Sequence, residues 1–316
     1  MAIIAATPAA RKAAAERKID IGAVRGSGVG AVSYVQLSDV LSHRGSGATH
    51  LACAVAAYVG IDISDVPSDG RITKADVLAY AGRFEADRVL PLDGMRRTIA
   101  ERMSQSMQTS PQYTMMAEVD CSKLKAYFKE KSEKCLSATG VKPTYSDVFI
   151  LACSLTLQKN RMLNAYFMGD HILLKGSVNI GLAVSLGEKG LIVPNIKNVQ
   201  AMTFDEIAVN RARLVSKARE GRLDPDEYAG GTFTISNLGV SPVQYFTPII
   251  NLPESAILGI GNITDKVVPI DGGVGIRPMA ALSLTVDHRC VDGTTAEKFI
   301  KDLIEYINNP LMLEGE

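Results

Sequence analysis

The sequence predicts an α/β chain: a layered sandwich preceded by two small helical hairpin modules. Three observations predict it. From about Gln112 onward, short runs that alternate apolar and polar residues are interleaved with longer segments whose apolar residues recur at helical spacing. Roughly the first ninety residues carry a degenerate repeat of helix-like segments instead. A length of 316 residues suits roughly two domains.

The repeat covers 5–42 and 48–81. Ala6-Thr7 recurs as Ala48-Thr49, Ile19-Asp20-Ile21 as Ile61-Asp62-Ile63, Val24 as Val66, and Asp39-Val40-Leu41 as Asp76-Val77-Leu78. Each copy reads as a short helix, a loop with glycine and a second short helix. Pro8 suits a first helical turn, and Thr73 is a good cap. Units this small have little core and are marginal alone. Gly26-Ser27-Gly28-Val29-Gly30 lacks the preceding strand and the full glycine pattern of a nucleotide loop. The stretch 42–47 reads as a flexible link, and 82–89 as a linker to a domain spanning 90–316.

That domain opens with a helix in which Met95, Ile99, Met103 and Met107 form one apolar face, read as a contact surface. Gln112 to Val119 reads as a strand, Ser122 to Lys134 as a charged helix, and Tyr145 to Lys159, apolar nearly all round, as a buried helix. A hairpin through Leu163 and Ile172 turns at Gly169-Asp170. Strands follow at Val178 to Leu186 and Leu191 to Ile196. Phe204 to Glu220 is an amphipathic helix stopped at Gly221. Thr232 to Leu238, Ala256 to Asn262 and Met279 to Val286 are strands. The last helix starts with the capping box Thr294-x-x-Glu297 and has Ala296, Phe299, Ile300, Leu303, Ile304 and Ile307 on one face.

The formal charge of zero gives no global attraction to nucleic acid or anionic membrane. The longest apolar run, Leu51 to Val59, is too short to span a bilayer, and the start lacks a secretion signal. Five cysteines (Cys53, Cys121, Cys135, Cys153, Cys290) show no paired metal-ligand spacing. They fit reduced thiols, so a cytoplasmic location is expected, or the mitochondrial matrix in a eukaryote.

The chemistry concentrates in Val286-Asp287-His288-Arg289-Cys290-Val291-Asp292-Gly293. His288 shares parity with Leu282, Leu284 and Val286, so it points inward if the strand continues to it. An imidazole at the inner end of a strand can serve as a general base near neutral pH. The residues alone leave a second reading open, with His288 a satisfied core histidine and Asp292 a helix cap. Arg289 reads as a structural ion-pair residue. Cys290 shows no activating feature beyond its position.

Asp-His-Arg-x-x-Asp-Gly resembles the active-site motif of the dihydrolipoamide acyltransferases, the E2 components of 2-oxo acid dehydrogenase complexes. From roughly Leu90 to the C-terminus the chain is similar to their catalytic domain. Asn179-Ile180-Gly181-Leu182-Ala183-Val184, Gly190-Leu191-Ile192-Val193-Pro194 and the run Gly230 to Gly239 fall in the family's order. The resemblance implies the two-layer α/β sandwich of the chloramphenicol acetyltransferase-like type. It implies transfer of an acyl group, acetyl by the look of Ser236-Asn237-Leu238-Gly239, between dihydrolipoamide and coenzyme A, as in the core of a pyruvate dehydrogenase complex. Coenzyme A is then a substrate and no metal is required. His288 would be the base, Asp292 an orienting residue and Ser236 the donor to the tetrahedral oxyanion, with Asn237 an alternative, substrate-binding donor. In the family His288 and Ser236 would come from different subunits of a homotrimer. Larger shells form through an apolar C-terminal tip, and the acidic end Glu314-Gly315-Glu316 departs from it. Val240 to Tyr245 departs from the family's turn beside the acyl pocket.

The repeat unit resembles the family's peripheral subunit-binding domain, which docks the E1 or E3 component through basic side chains. The first copy has Arg11 and Lys12 and carries Ala31 where arginine is usual. The second keeps Arg71 and has Ala52 and Cys53 in place of the basic pair. The family's lipoyl domain is not among these residues, so its swinging lysine is expected from a domain absent from this chain. A non-catalytic scaffold of such a complex is the competing reading, and a stand-alone acetyltransferase of the chloramphenicol type a third. His288, Asp292 and Ser236 favour activity over the scaffold, and the N-terminal modules argue against the free-standing enzyme.

Overall fold

Both N-terminal modules open on the same capped helix. Thr7 accepts a hydrogen bond from the Ala10 N–H at 3.2 Å and starts α1 (Pro8–Glu16); Thr49 accepts one from the Ala52 N–H at 3.1 Å and starts α3 (His50–Val59). The second helices are α2 (Leu37–Ser42) and α4 (Lys74–Ala81). Each cap residue also donates its own N–H across its module, Thr7 to Val35 O and Thr49 to Ile72 O, both at 2.9 Å. The small cores match residue for residue: Ala10, Ala14, Val24, Val35 and Val40 against Ala52, Ala56, Val66, Ile72 and Val77.

This match corrects the register of the surface. Ala52 corresponds to the buried Ala10, so Arg11 and Lys12 correspond to Cys53 and Ala54, not to Ala52 and Cys53. Arg71, next to Ile72, corresponds to Tyr34 and not to Ala31. The computed structural model describes residues 5–17, 19, 21–24, 26–27, 34–42, 47–67, 71–81, 91–92, 94–187, 190–239, 241–270 and 272–314. Ala31, Gly28 to Gly30, the linker at 82–89 and most of the 42–47 link lie outside the described residues. The chain divides into two compact units, Met1–Pro91 and Leu92–Glu316.

The larger unit runs α5 (Gly94–Thr109), β1 (Gln112–Asp120), α6 (Ser122–Thr139), α7 (Tyr145–Lys159), β2 (Ala165–Phe167), β3 (Ile172–Leu174), β4 (Ile180–Leu182), β5 (Val184–Ser185), β6 (Leu191–Ile192), β7 (Asn195–Ile196), α8 (Phe204–Arg219), β8 (Phe233–Asn237), β9 (Ala256–Ile260), β10 (Thr264–Ile270), β11 (Gly273–Asp287) and α9 (Gly293–Asn308). The main sheet has the order β1-β11-β9-β8-β4-β7, with β10 paired to β11. Its register makes two kinds of row. Met115, Leu284, Leu258, Ile235 and Leu182, one from each successive strand, face helices α6 to α9 and form the core. The adjacent row, Thr114, Thr285, Ile257, Thr234 and Gly181, faces the other way. Helices on one side of one sheet give the expected two-layer sandwich.

Burial drives this layering. Phe299, Leu303 and Ile307 of α9 are fully buried, and each contributes about 1.5–3 kcal/mol on leaving water. On α5 the methionine stripe stays largely uncovered within one chain, 46% exposed at Met95 and 57% at Met107. No helix among the described residues is long and apolar enough to cross a membrane.

Several expectations need correction. The strand expected over Val178 to Leu186 is two, β4 in the main sheet and β5 in a separate hairpin with β6. Pro194, which has no N–H to give a ladder, parts β6 from β7 in the same way. The β10–β11 hairpin was not expected, and β11 begins at Gly273 rather than Met279, because Pro269, Gly273 and Gly275 mask the alternation. The cap of α9 is Asp292, which accepts from the Thr295 N–H at 2.8 Å; Thr294 lies inside the helix. β11 ends at Asp287, so His288 does not continue its inward face and is exposed.

One buried ion pair joins α7 to α8. Asp147, fully buried, accepts from the Thr144 N–H at 2.7 Å and from Arg211 Nε and Nη2 at 2.9 and 3.0 Å. Arg211→Met leaves that carboxylate without its cation and is expected to cost about 3–5 kcal/mol, read as a lower urea midpoint with an unchanged slope.

Candidate active site

The turn after β11 is built around a buried acid. Asp287 donates its N–H to Ser255 O at 2.9 Å, and its own carbonyl accepts from the N–H groups of Cys290 and Val291, each at 2.9 Å. Its carboxylate accepts from the Arg289 N–H at 3.0 Å and from the guanidinium at 2.6 to 3.1 Å. Burial works to raise the Asp287 carboxyl, but the Arg289 hydrogen bonds outweigh it and hold the group below the usual carboxylate range. Arg289 in turn stacks on Phe167, 4.0 Å from the ring centroid. The expected ion-pair role of Arg289 is therefore observed, with Asp287 as its partner.

This braced turn carries His288. Its N–H donates to Pro111 O at 3.0 Å, and its ring lies 4.8 Å from that of Tyr113. Asp292 follows at the head of α9. Hydrogen bonds from Thr295 and Thr294 lower its carboxyl, with a smaller contribution from the charge of His288. Burial, and then the charge of Asp292, raise the Tyr113 hydroxyl. Asp292 thus fills the cap role and also lies within electrostatic reach of the imidazole.

Ser236 occupies the other end of the sheet. It pairs with Gly259 of β9, and Gly259 pairs with Ser283 of β11. Since β8 and β9 are parallel and β9 and β11 antiparallel, Ser236 is level with Ser283, five residues short of His288. At about 3.4 Å per residue and about 4.8 Å between strands, Ser236 and His288 of one chain are about 20 Å apart. A single chain does not bring them together.

Alternation also separates Ser236 from Asn237. The Asn237 amide points to the helical side, where it donates to Ser146 Oγ at 2.9 Å and its oxygen accepts from the Gly239 N–H at 2.8 Å. It lines a cavity of about 460 Å³ with Lys125, Tyr145 and Phe149. Asn237 therefore does not share a face with Ser236. Ser236 itself is half-buried. Phe246 packs over Gly259 beside it, so closely that a Cβ there would sit 2.7 Å from the ring.

Two residues of this region were missed in the sequence. Asp287 had a signal, an acid on the same strand face as Ser283 and Thr285 with an arginine two positions on. Glu254 had none beyond being an acid just ahead of an apolar strand, yet it is fully buried. Arg11, Lys12 and Arg71 are exposed on their modules.

Cys290 does not fit a nucleophile. Burial pushes its thiol up to about 11, and that of Cys121 to about 12. Cys53 is the exposed thiol. Iodoacetamide at pH 8 is expected to label Cys53 in the native protein well ahead of Cys121, Cys135, Cys153 and Cys290, as peptide mass spectrometry would show. Labelling of Cys290 at the rate of Cys53 would contradict the buried, protonated thiol.

The sequence profile of the 2-oxoacid dehydrogenases acyltransferase (catalytic domain) matches residues 84–314, and that of the e3 binding domain matches residues 4–30. The chain is 36% identical over 312 residues to the dihydrolipoyllysine-residue acetyltransferase component of the pyruvate dehydrogenase complex of Bacillus subtilis, covering 98% of this chain and 68% of that one. It is similar to a probable dihydrolipoamide acetyltransferase from Listeria monocytogenes, with 34% identity and a TM-score of 0.68 over 71% of this chain and 95% of that one. It is also similar to the Azotobacter vinelandii dihydrolipoamide acetyltransferase, in a structure bearing on the catalytic roles of a serine, a histidine and an asparagine. There the identity is 30% and the TM-score 0.70 over 73% of this chain and 96% of that one. With its braced histidine turn, its sandwich and an N-terminal subunit-binding module, this chain belongs to the 2-oxoacid dehydrogenase acyltransferase family.

Proposed function

We propose that the chain moves an acetyl group between dihydrolipoamide and coenzyme A as the core of a pyruvate dehydrogenase complex, in sites closed between neighbouring subunits of a trimer. The observation that carries this reading is an interval. Ser236 and His288 are as far apart in sequence as the serine and histidine studied in the Azotobacter vinelandii enzyme, and Asp292 stands where that enzyme has its asparagine. The separation of Ser236 from His288 within one chain supports a site shared by two copies.

His288 removes the proton from the coenzyme A thiol. The thiolate attacks the thioester carbonyl of acetyl-dihydrolipoamide, and the Ser236 O–H donates to the oxyanion that forms. Collapse breaks the bond to the dihydrolipoamide sulfur, which takes the proton back from His288. Asp292 holds the start of α9, and with it the turn that presents the imidazole. Its oxygen serves as a cap as an asparagine oxygen would. A lipoyl domain delivers the acyl group. The departure of Val240 to Tyr245 from the family's turn leaves room for a preference beyond acetyl.

The match of residues 4–30 to the e3 binding domain supports a docking role for the first module toward the E3 or E1 component, for which Arg11 and Lys12 are the proposed basic contacts. The second module has lost that pair and keeps Arg71.

Two tests follow. Acetyl transfer from acetyl-CoA to free dihydrolipoamide is expected to fall about 10²–10⁴-fold in His288→Ala and about 10²–10³-fold in Ser236→Ala. Co-expressing the two variants in equal amounts should restore activity to about one interface in four, since random assembly rejoins intact partners. No recovery would place the site within one chain. Separately, Arg11→Glu with Lys12→Glu is expected to weaken capture of the E3 component at least about tenfold and leave transfer to free dihydrolipoamide unchanged. Undiminished capture would move the docking surface elsewhere.

A further inference from the structure

The reaction above leaves unused a fully buried acid on the Ser236 face of the sheet. Glu254 precedes β9. Its Oε2 accepts from Thr234 Oγ1 at 2.6 Å, its Oε1 accepts from Asn251 Nδ2 at 3.1 Å, and its N–H donates to Asn251 O at 3.2 Å. Thr234 lies two residues before Ser236 on β8 and shares its face. Asn251 belongs to the segment 241–254, which crosses that face. Within the segment Phe246 covers Gly259, the strand partner of Ser236. Ile250 donates its N–H to Gln112 Oε1 at 3.1 Å and accepts from Ser106 Oγ at 2.7 Å. Glu254 therefore ties the foot of this covering segment to the strand that carries Ser236.

Two observations bear on the protonation of this carboxyl. Burial is the leading influence on Glu254 and pushes it up to about 8, opposed only by the hydrogen bonds from Thr234 and Asn251. Independently, Asn195 Oδ1 is buried without a hydrogen-bond donor. That oxygen and Glu254 Oε1 lie 2.3 and 2.8 Å from the point where a Cβ on Gly231 would stand. Two acceptors converge near that point, and the missing donor is a carboxyl proton or an Asn195 amide turned to present its Nδ2. The titratable groups around the adjoining cavity are Arg102 of α5, Tyr166 of β2 and Tyr228. Tyr166 spends its hydroxyl on Gly231 O at 2.5 Å, and its own ionisation is pushed up by burial and then by Glu254. Asp287 and Arg289, reached through Ser255, are paired with each other.

We infer that Glu254 is a positioning residue: as a neutral acid it fastens segment 241–254 to β8 and so fixes the cover over Ser236, and its ionisation releases that cover. The inference rests on the role given to Ser236. A carboxylate at this place is desolvated, with no ion pair to it among the described residues, and it regains hydration by loosening what encloses it.

Because the folded-state value lies above the unfolded one, the stability contributed by neutral Glu254 is fully present below the ordinary glutamate range. It is lost as the pH rises through about 8. Glu254→Gln keeps the shape and cannot ionise. The quantity to read is the ratio of kcat/KM for the variant to that of the wild type from pH 6.5 to 9.5, in which the titration of the substrate thiols and of His288 cancels. The ratio is expected to rise about tenfold between pH 7 and pH 9, as the neutral form of a group titrating near 8 is lost. A flat ratio overturns the inference. A second arm needs neither activity nor a variant. Hydrogen exchange of wild-type peptides from 241–254, corrected for the intrinsic pH dependence, is expected to lose protection between pH 7 and pH 9. Unchanged protection also overturns the inference, and it does so whether or not acetyl transfer is seen, so that failure is distinct from failure of the acetyltransferase reading.

Discussion

The relation of three strands governs the larger unit. β9 runs parallel to β8 and antiparallel to β11, so the C-terminal ends of β8 and β11 point to opposite ends of one sheet. Everything chemical hangs on those two ends. Ser236 stands next to last on one strand, and His288 follows the other on a turn braced by Asp287 and Arg289. The register that packs Met115, Leu284, Leu258, Ile235 and Leu182 against the helices is the same register that holds the two groups apart. Neither can be shifted toward the other by one residue without turning a core row to the wrong side. Within one chain the two groups therefore stay apart.

The helical modules show a different division between frame and surface. The threonine caps, the N–H bonds from Thr7 to Val35 and from Thr49 to Ile72, and five paired core positions are kept in both. With cores of five small side chains, such units have no stability to spare, and the frame is constrained at nearly every inward position. Outward positions carry no such load, and there Arg11 is matched in the repeat by Cys53, Lys12 by Ala54 and Tyr34 by Arg71.

Much of the fold was legible because its signals are local. Alternation marked the inner half of β11, helical spacing marked α7, α8 and α9, and Gly169 and Gly221, both at positive φ, marked their turns. The outer half of β11 was hidden by glycines and Pro278, and its partner β10 by Pro269. Parity places His288 inward only if the strand continues to it, and the bonds within the Asp287 turn end the strand first. Of the site, His288, Ser236 and the two readings of Asp292 were visible. The distance between Ser236 and His288 was not, because strand order is a long-range property that no short window contains. The clusters around Asp287 and Glu254 likewise join positions far apart in the chain.

Strand direction has a consequence for inheritance. In the proposed trimer each subunit would lend its histidine to one neighbour and its serine cleft to the other, so a copy lacking one of the two groups would silence one site of three. An allele that folds and assembles but lacks either group would then lower activity only in proportion to its share of the copies, leaving the sites between normal copies intact. An allele that fails to fold would merely withdraw from assembly and pass as recessive.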